Sequence, residues 1–329
     1  MKNAVLVFGG AGYIGSHTCK ALAGAGFRVV AVDDLSTGHR AAVQWGELEI
    51  GSLLDRDFLR GVMDRYRPSV VMQFAAKIAV GESVADPAVY YETNVIGSLC
   101  LLEALRASGN VPLVYSSTAA VYGVPESVPI AEGHVIAPIN PYGRTKAIIE
   151  QVLTEYRSAY GLRSVALRYF NASGADRDGD IGEAHEPETH LIPLALDVGI
   201  GRCEFLTING DDYPTPDGTC IRDYVHVSDL ADAHVAALRY LVSGGDTIAM
   251  NLGTGIGCSV LEIIAEVERV TGRMVARKVG ERRDGDPASL VASPDLVHRV
   301  LHWKATRSGI DNIVETAWLW HKKLRACPL

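Results

Sequence analysis

The 329-residue chain contains no run approaching the roughly 18 apolar residues of a membrane span. It has no basic surplus either. Its 31 Lys+Arg against 39 Asp+Glu leave a formal net charge of -8, the wrong sign for binding a phosphate backbone. Neither a membrane nor a nucleic acid is therefore an expected partner. Six cysteines (Cys19, Cys100, Cys203, Cys220, Cys258 and Cys327) lie scattered, with no CxxC pair and no zinc-finger spacing to histidine. Free thiols in a reducing compartment are the expectation. His185 and His190 flank acidic residues without the HExxH spacing, so no metal is expected. Met1-Lys2-Asn3 leads straight into a strand-like run, with none of the marks of a signal peptide. A cytoplasmic location is the resulting expectation. Internal repeats and low-complexity tracts are lacking as well.

What remains is the alternation of an α/β enzyme. Ala4–Phe8, Arg28–Val32, Val70–Phe74, Leu113–Ser116 and Ser164–Tyr169 read as buried strands. Ile14–Ala25 and stretches near 55–66, 88–107 and 143–159 read as helices. Strands separated by helices predict a parallel sheet covered on both faces. After about Asn171 the texture changes. Ala172–Glu188 reads as a surface loop, and Asp211–Gly218 and Gly280–Pro287 are further polar segments. The fold class expected is α/β, a Rossmann-type doubly wound parallel sheet with a smaller C-terminal substrate-binding lobe. Residues 1–170 would hold the cofactor and 171–329 mainly the substrate, with roughly 221–245 returning to the first domain.

Two constellations carry chemistry. Gly9-Gly10-Ala11-Gly12-Tyr13-Ile14-Gly15 follows a strand and opens a helix, the context a dinucleotide fingerprint requires. Glycines let backbone amides approach a pyrophosphate, and the helix N-terminus adds a favourable dipole. Asp33 ends the second strand, where a carboxylate accepts ribose hydroxyls and repels a 2′-phosphate. NAD is the cofactor this predicts. Tyr142 and Lys146 stand four apart at the start of a helix, with Pro141 suited to its first turn. A cation roughly 6 Å from a phenol lowers its pKa by about 2 units at an effective dielectric near 20. Tyr142 would then act as a base near neutral pH. Thr118 closes the Ser116-Ser117-Thr118 strand end, where side chains face the ligand crevice.

Together these elements resemble the extended short-chain dehydrogenase/reductase family, and within it the UDP-sugar 4-epimerases. The resemblance runs over nearly the whole chain, through Asn140-Pro-Tyr-Gly-Arg-Thr-Lys146, Arg168-Tyr-Phe-Asn171, His190-Leu-Ile-Pro193, Gly210-Asp-Asp-Tyr-Pro-Thr215, Arg222-Asp-Tyr-Val-His226 and Arg282-Arg-Asp-Gly-Asp286. It implies inversion of C4 of a UDP-hexose through a transient 4-keto sugar, with Tyr142 as base, Lys146 on the nicotinamide ribose and Thr118 on the substrate hydroxyl. Cofactor contacts are implied for Gly9, Gly12, Tyr13, Ile14, Gly15, Asp33, Asp34, Leu35, Ser36, Thr37, Gly38, Ser52, Leu53, Phe74, Ala75, Ala76, Lys77, Asn94, Ser116, Tyr142, Lys146 and Phe170. Substrate contacts are implied for Thr118, Tyr142, Asn171, His190, Leu191, Thr207, Asn209, Arg222, Arg283 and Asp286. Two arginines can grip a diphosphate through forked contacts.

Some positions depart from the family pattern. Phe8 replaces a threonine, Ser52 an acidic residue, Ile78 a phosphate-facing lysine and His190 an asparagine. Other UDP-sugars, N-acetylated or uronic, stay open as substrates. Leu290 is bulky where such members carry small residues, which favours plain hexoses. A dehydratase would need an acid and a base after Thr118, where Ala119 and Ala120 stand. A non-catalytic NAD-binding protein would not need Tyr142 and Lys146. The resemblance also implies a homodimer through the helices near 88–107 and 143–159.

Overall fold

The computed structural model describes residues 4–283 and 286–326; Met1–Asn3, Asp284, Gly285 and Cys327, named above, lie outside them. Its centre is a seven-stranded, wholly parallel sheet. The strands are β1 (Ala4–Phe8), β2 (Arg28–Asp33), β3 (Glu47–Ile50), β4 (Val70–Gln73), β5 (Leu113–Thr118), β6 (Ser164–Tyr169) and, after four short strands, β11 (Ile248–Leu252). Their order is β11-β6-β5-β4-β1-β2-β3. The chain reverses direction of growth between β1 and β4, and in such sheets ligands bind outside the carboxyl ends of the strands at that switch. The glycine loop leaves β1 there, and Phe74 leaves β4 beside it: Phe74 and Ala75 both donate backbone N–H to the Phe8 carbonyl, at 2.7 and 3.0 Å.

Apolar side chains face both sides of the sheet, so two layers of helix cover it. One face carries α1 (Tyr13–Gly24) and α8 (Val227–Val242), which pack Leu22, Leu230 and Leu238 over Val5, Val7 and Val165. The other carries α2 (Arg56–Tyr66), α5 (Gly97–Ala107) and α6 (Pro141–Tyr160), which pack Leu59, Leu101 and Ile149 over Leu6, Phe8 and Tyr115. Between α2 and α5 lie the short helices α3 (Val80–Ala85) and α4 (Pro87–Tyr90). A separate core joins α7 (Leu191–Gly199), α9 (Val260–Thr271) and α11 (Ile310–Ala326) through Ile192, Ile264 and Val314. The remaining strands are β7 (Asn171–Ser173), β8 (Leu206–Asn209), β9 (Ile221–Arg222), β10 (Tyr224–His226), β12 (Cys258–Ser259), β13 (Arg277–Gly280) and β14 (Ser289–Leu290), with α10 (Asp295–Leu301) before α11. They form three small sheets outside the central one. Among the described residues no helix is long and apolar enough to cross a membrane, and Cys19, Cys100, Cys203, Cys220 and Cys258 are free thiols.

Three readings of the sequence need correction. The helix expected near 88–107 is broken: a π-helical stretch, Tyr91–Ile96, separates α4 from α5. Strands β3 and β11 carry no clear signal, because both are edge strands and one, Glu-Leu-Glu-Ile, is half charged. The segment Ala172–Glu188 is only partly a surface loop: Arg177, Asp178, Glu186 and Pro187 are exposed, but much of the rest is not. Its first residues form β7 beside β10, and Ala175, Ile181 and Glu183 are buried. Trp320 of α11 explains this: its indole N–H donates to the Glu183 carbonyl at 2.7 Å, and its ring lies where a Cβ on Gly182 would sit.

The core also holds His17, His226 and His234, no more than 3% exposed. Burial pushes each imidazole down to about 4. His234 sits 2.8 Å from the Leu230 carbonyl through Nδ1, which fixes the proton there, and Nε2 accepts from the Tyr169 hydroxyl at 2.5 Å. The folded state keeps these rings neutral while the unfolded chain protonates them near 6.5. Stability is therefore full above pH 6.5 and falls as pH drops toward 4, by at most about 3 kcal/mol per ring. Urea midpoints measured from pH 7.5 to 4.5 should fall steadily, and His234→Gln should flatten the slope.

Candidate active site

The glycine loop is shaped by contacts that forbid side chains. A Cβ on Gly9, whose φ is +81°, would lie 2.5 Å from Ala75 N, and one on Gly15 would lie 2.0 Å from the Gly9 carbonyl. Gly12 differs: its only neighbour within 4 Å would be the Gly9 carbonyl at 3.3 Å. A side chain there would project into the space ahead of α1. Gly12 also caps α1 with no side-chain hydrogen bond, so the first N–H groups of the helix point into that space without an intrahelical partner. This cradle fits a diphosphate. A small cleft opens alongside, lined by Gly12, Tyr13, Thr37, His39, His185 and Trp320 among others.

Asp33 stands at the end of β2, 8% exposed. Its two oxygens accept from Ala11 N and Leu35 N, each at 2.9 Å. Burial raises its pKa, and those two N–H groups oppose the rise. Each oxygen keeps lone pairs for a ribose hydroxyl. Gly38 closes the loop against it, since a Cβ there would meet Asp33 Oδ1 at 2.8 Å. Asp34, Ser36 and Thr37 are exposed on the same loop, while Leu35 takes a left-handed φ of 60°. Ser52 and the buried Leu53 follow β3. The residues present thus fit an NAD.

Asn94 lies in the π-helical stretch, 1% exposed. Its amide accepts from Lys77 N at 2.8 Å and donates to the Lys77 carbonyl at 3.0 Å and to Thr145 Oγ1 at 3.1 Å. It pins the segment after Phe74, Ala75 and Ala76 to α6, which explains the extra residue in the helical turn. Asn94→Ala strips the Lys77 backbone of both partners, at about 1–3 kcal/mol for each buried polar group left unpaired. A lowered urea midpoint and faster loss of cofactor on dilution are the expected results.

The catalytic candidates converge at the carboxyl end of β5. Asn140 caps α6 by accepting from Gly143 N at 2.8 Å, and Pro141 occupies the first turn. Gly143 lets that turn press on the chain after β5: a Cβ there would meet the Ala120 carbonyl at 2.5 Å. The approach sets Tyr142 near enough to Thr118 for that hydroxyl to oppose the rise that burial causes in the phenol's pKa. Thr118 Oγ1 itself accepts from Ala120 N at 3.1 Å, which orients its hydroxyl. Lys146 lies one turn on, 2% exposed, and donates from Nζ to the Ser116 carbonyl at 2.8 Å.

The electrostatics differ from the expectation that Lys146 depresses Tyr142. Burial raises the Tyr142 phenol, opposed by the Thr118 hydroxyl. Burial also pushes Lys146 down to about 7, opposed by Glu150. The cause is shared: both groups are taken from water together, and the ammonium is held by a carbonyl and over the Tyr115 ring at 4.9 Å.

The substrate candidates come from the outer strands. Phe170 and Leu290 both pack on a small cluster that includes Ala119 and Tyr122, next to Thr118. Asn171 opens β7, its N–H bonded to the Asp223 carbonyl at 2.9 Å. His190 caps α7, and Leu191 begins it. On β8, Leu206 and Ile208 face the core, leaving Thr207 and Asn209 on the opposite face. Arg222 is 8% exposed and ion-paired with Asp286. Arg283 is exposed, and the Asn209 amide, with its oxygen turned toward it, accepts from Nη2 and Nε at 3.2 and 3.1 Å.

Two supports carry little sequence signal. Gly143 is one more glycine until the Ala120 contact is seen. Glu150, one turn after Lys146, accepts from Ser117 and forms a bidentate pair with Arg168, 6% exposed, at the back of β5 and β6. Its place four residues after Lys146 on a charged helix face reads as solvated surface.

Comparison with known proteins agrees with this geometry. The chain is 54% identical to the UDP-glucose 4-epimerase of Rhizobium meliloti (strain 1021) over 322 residues, 98% of each chain. It superposes with a TM-score of 0.94 on UDP-glucose 4-epimerase from Brucella ovis in complex with NAD, at 53% identity, covering 96% of this chain and 97% of that one. With UDP-glucose 4-epimerase from Bifidobacterium longum in complex with NAD+ and UDP, the TM-score is 0.92 at 35% identity, covering 97% and 98%. A family model matches residues 5–253, from the first strand of the sheet through its last, and the chain belongs to the NAD dependent epimerase/dehydratase family.

Proposed function

We propose that this chain is an NAD-dependent epimerase that inverts C4 of a UDP-hexose, interconverting UDP-glucose and UDP-galactose through a transient 4-keto sugar. The observation that carries the reading is the placing of Tyr142 on α6 and Thr118 at the end of β5, with the Thr118 hydroxyl acting on the Tyr142 phenol and Ala119 and Ala120 following directly. One proton acceptor is present, and the two residues after Thr118 hold no proton donor for loss of water. NAD, when bound, supplies the hydride acceptor and donor and adds positive charge to the site. The glycine loop and Asp33 would hold it, with Ser116, Lys146 and Phe170 at its reactive end.

Tyr142 Oη takes the proton from the C4 hydroxyl and later returns it. Thr118 Oγ1 aligns that hydroxyl, itself held by Ala120 N. Lys146 keeps a fixed position through the Ser116 carbonyl. Arg222 and Arg283 grip the diphosphate while the sugar turns to present its other face, and Asn171, His190, Leu191, Thr207, Asn209 and Asp286 complete the nucleotide contacts. The pairs Arg222–Asp286 and Arg283–Asn209 keep both guanidinium groups positioned for this role. Leu290 packs on the same Ala119–Tyr122 cluster as Phe170, and its bulk favours plain hexoses over N-acetylated ones.

The same reading assigns the cofactor to residues 1–170 and the UDP-sugar mainly to 171–329, with roughly 221–245 returning to the first part. It also extends to a homodimer and a cytoplasmic location. Ile96, 50% exposed within the stretch 88–107, supports the dimer through that stretch and the helix near 143–159. Turnover of a panel of UDP-sugars, with assay of the cofactor released by heating, tests the proposal. Activity on UDP-galactose with NAD released is expected. Turnover confined to N-acetylated or uronic sugars, or none at all, would overturn it.

A further inference from the structure

Two clusters of metal-ligating side chains stand on the segment between β7 and α7, and they differ in kind. Asp176, Asp178 and Asp180 converge, but Lys20 already sits among them, its Nζ at 2.7, 2.8 and 3.4 Å from their carboxylates. That cluster has its cation built in. The second cluster is Glu183, His185, Glu188 and His190, whose donor atoms all lie within 4.8 Å of one another. Glu183 Oε1 lies 2.7 Å from His190 Nδ1 and 3.1 Å from His185 Nδ1, and Glu188 Oε1 lies 3.0 Å from His190 Nδ1. Two carboxylates and two imidazoles therefore aim at one small volume, and a single ring nitrogen faces two carboxylate oxygens.

We propose that Glu183, His185, Glu188 and His190 form a site for one divalent cation of the zinc class. Two imidazole nitrogens with two carboxylate oxygens are a donor set that suits zinc and its transition-metal neighbours better than magnesium or calcium. A tetrahedron with bonds of about 2.0–2.2 Å places its donors roughly 3.4 Å apart. The contacts at 2.7, 3.0 and 3.1 Å lie about 0.3–0.7 Å inside that spacing, and no two of the four donor atoms are more than 4.8 Å apart. The charge balances: two carboxylates meet a divalent ion, and any protons on the ligating nitrogens leave as it enters.

The scaffold around the cluster is fixed from outside. The Glu183 carbonyl takes the Trp320 indole N–H at 2.7 Å, and the Ala184 carbonyl lies 2.9 Å from His39 Nε2. Glu188 Oε1 accepts from Thr189 N and His190 N at 2.7 and 2.8 Å. Glu183 is 9% exposed, and the His185 ring is edge-on to Tyr13 of the glycine loop at 6.2 Å between centroids. His190 caps α7. A bound ion would therefore staple the segment that lies between the glycine loop and α7. Such a site is structural, with all four ligands from the protein.

The test uses the full chain with its cofactor, dialysed against a chelator and titrated with CoCl2 alone and then ZnCl2 alone. Wild type should bind one equivalent of cobalt, with the intense visible absorption of a four-coordinate ion, and zinc should displace it. The pair Glu183→Gln/His185→Ala should lower the affinity by more than about tenfold, since losing even an outer partner of a ligand has that effect. Asp178→Asn/Asp180→Asn should bind as wild type does. The thermal midpoint of wild type should rise in excess ZnCl2 over EDTA, a readout that needs no variant to fold. No stoichiometric uptake and no rise in midpoint would overturn the proposal. So would unchanged affinity in Glu183→Gln/His185→Ala, or loss of uptake in the aspartate pair instead.

Discussion

Tyr142→Phe should lower the rate of UDP-galactose conversion by about 10²–10⁴-fold, the range that one positioned acid-base group contributes. That is about 3–5 kcal/mol of barrier. The substitution removes one oxygen. It leaves the Asn140 cap, the Gly143 approach to Ala120 and the Lys146 contact with Ser116 in place. Bound NAD and the thermal midpoint should therefore stay near wild type, and the loss should fall on kcat. The pKa directions sharpen the case. Burial raises the phenol and lowers Lys146 to about 7, so the chain by itself holds Tyr142 protonated at neutral pH. Activation then depends on charge that arrives with the ligands. Spectrophotometric titration of Tyr142 in protein stripped of cofactor should give a value above 10, and cofactor should bring it down.

Glu150→Ala should destabilise the fold by about 3–5 kcal/mol, the scale for breaking a buried ion pair from one side. Arg168 would keep its charge at 6% exposure with no carboxylate. Its remaining contacts are Tyr122 Oη at 2.7 Å and the Glu132 carbonyl at 3.5 Å. Ser117 would lose its acceptor at the same time. The damage spreads because Glu150 joins α6 to both β5 and β6, the strands that end at Thr118 and Tyr169. Urea unfolding should show the loss in the midpoint with little change in slope, and Glu150→Gln, which keeps an acceptor for Ser117, should recover part of it.

The central strands were legible in the sequence because they are buried on both faces and read as continuous apolar runs. Ala4–Phe8 and Ser164–Tyr169 have the boundaries expected of them. The edge strands were not, since one side of each lacks a partner and their composition is mixed. The glycine loop could be read because close backbone approach admits no other residue. The break at Tyr91–Ile96 could not, because it follows from where Asn94 finds Lys77 across the fold. Burial within 172–188 depends likewise on Trp320, more than 130 residues away. For the site, Tyr142, Lys146 and Thr118 were visible as residue types at fixed spacing. The sign of the shifts on Tyr142 and Lys146 was not, because spacing gives a distance between charges and says nothing of how deeply they are buried.

The most direct test of the central account follows the hydrogen on C4. UDP-galactose carrying deuterium at C4 is incubated with the enzyme in ordinary water, and the UDP-glucose formed is examined by NMR. Full retention of deuterium at C4 is expected, since what leaves the sugar as hydride comes back to it. Deuterium lost to solvent, or a product unchanged at C4, would contradict the account.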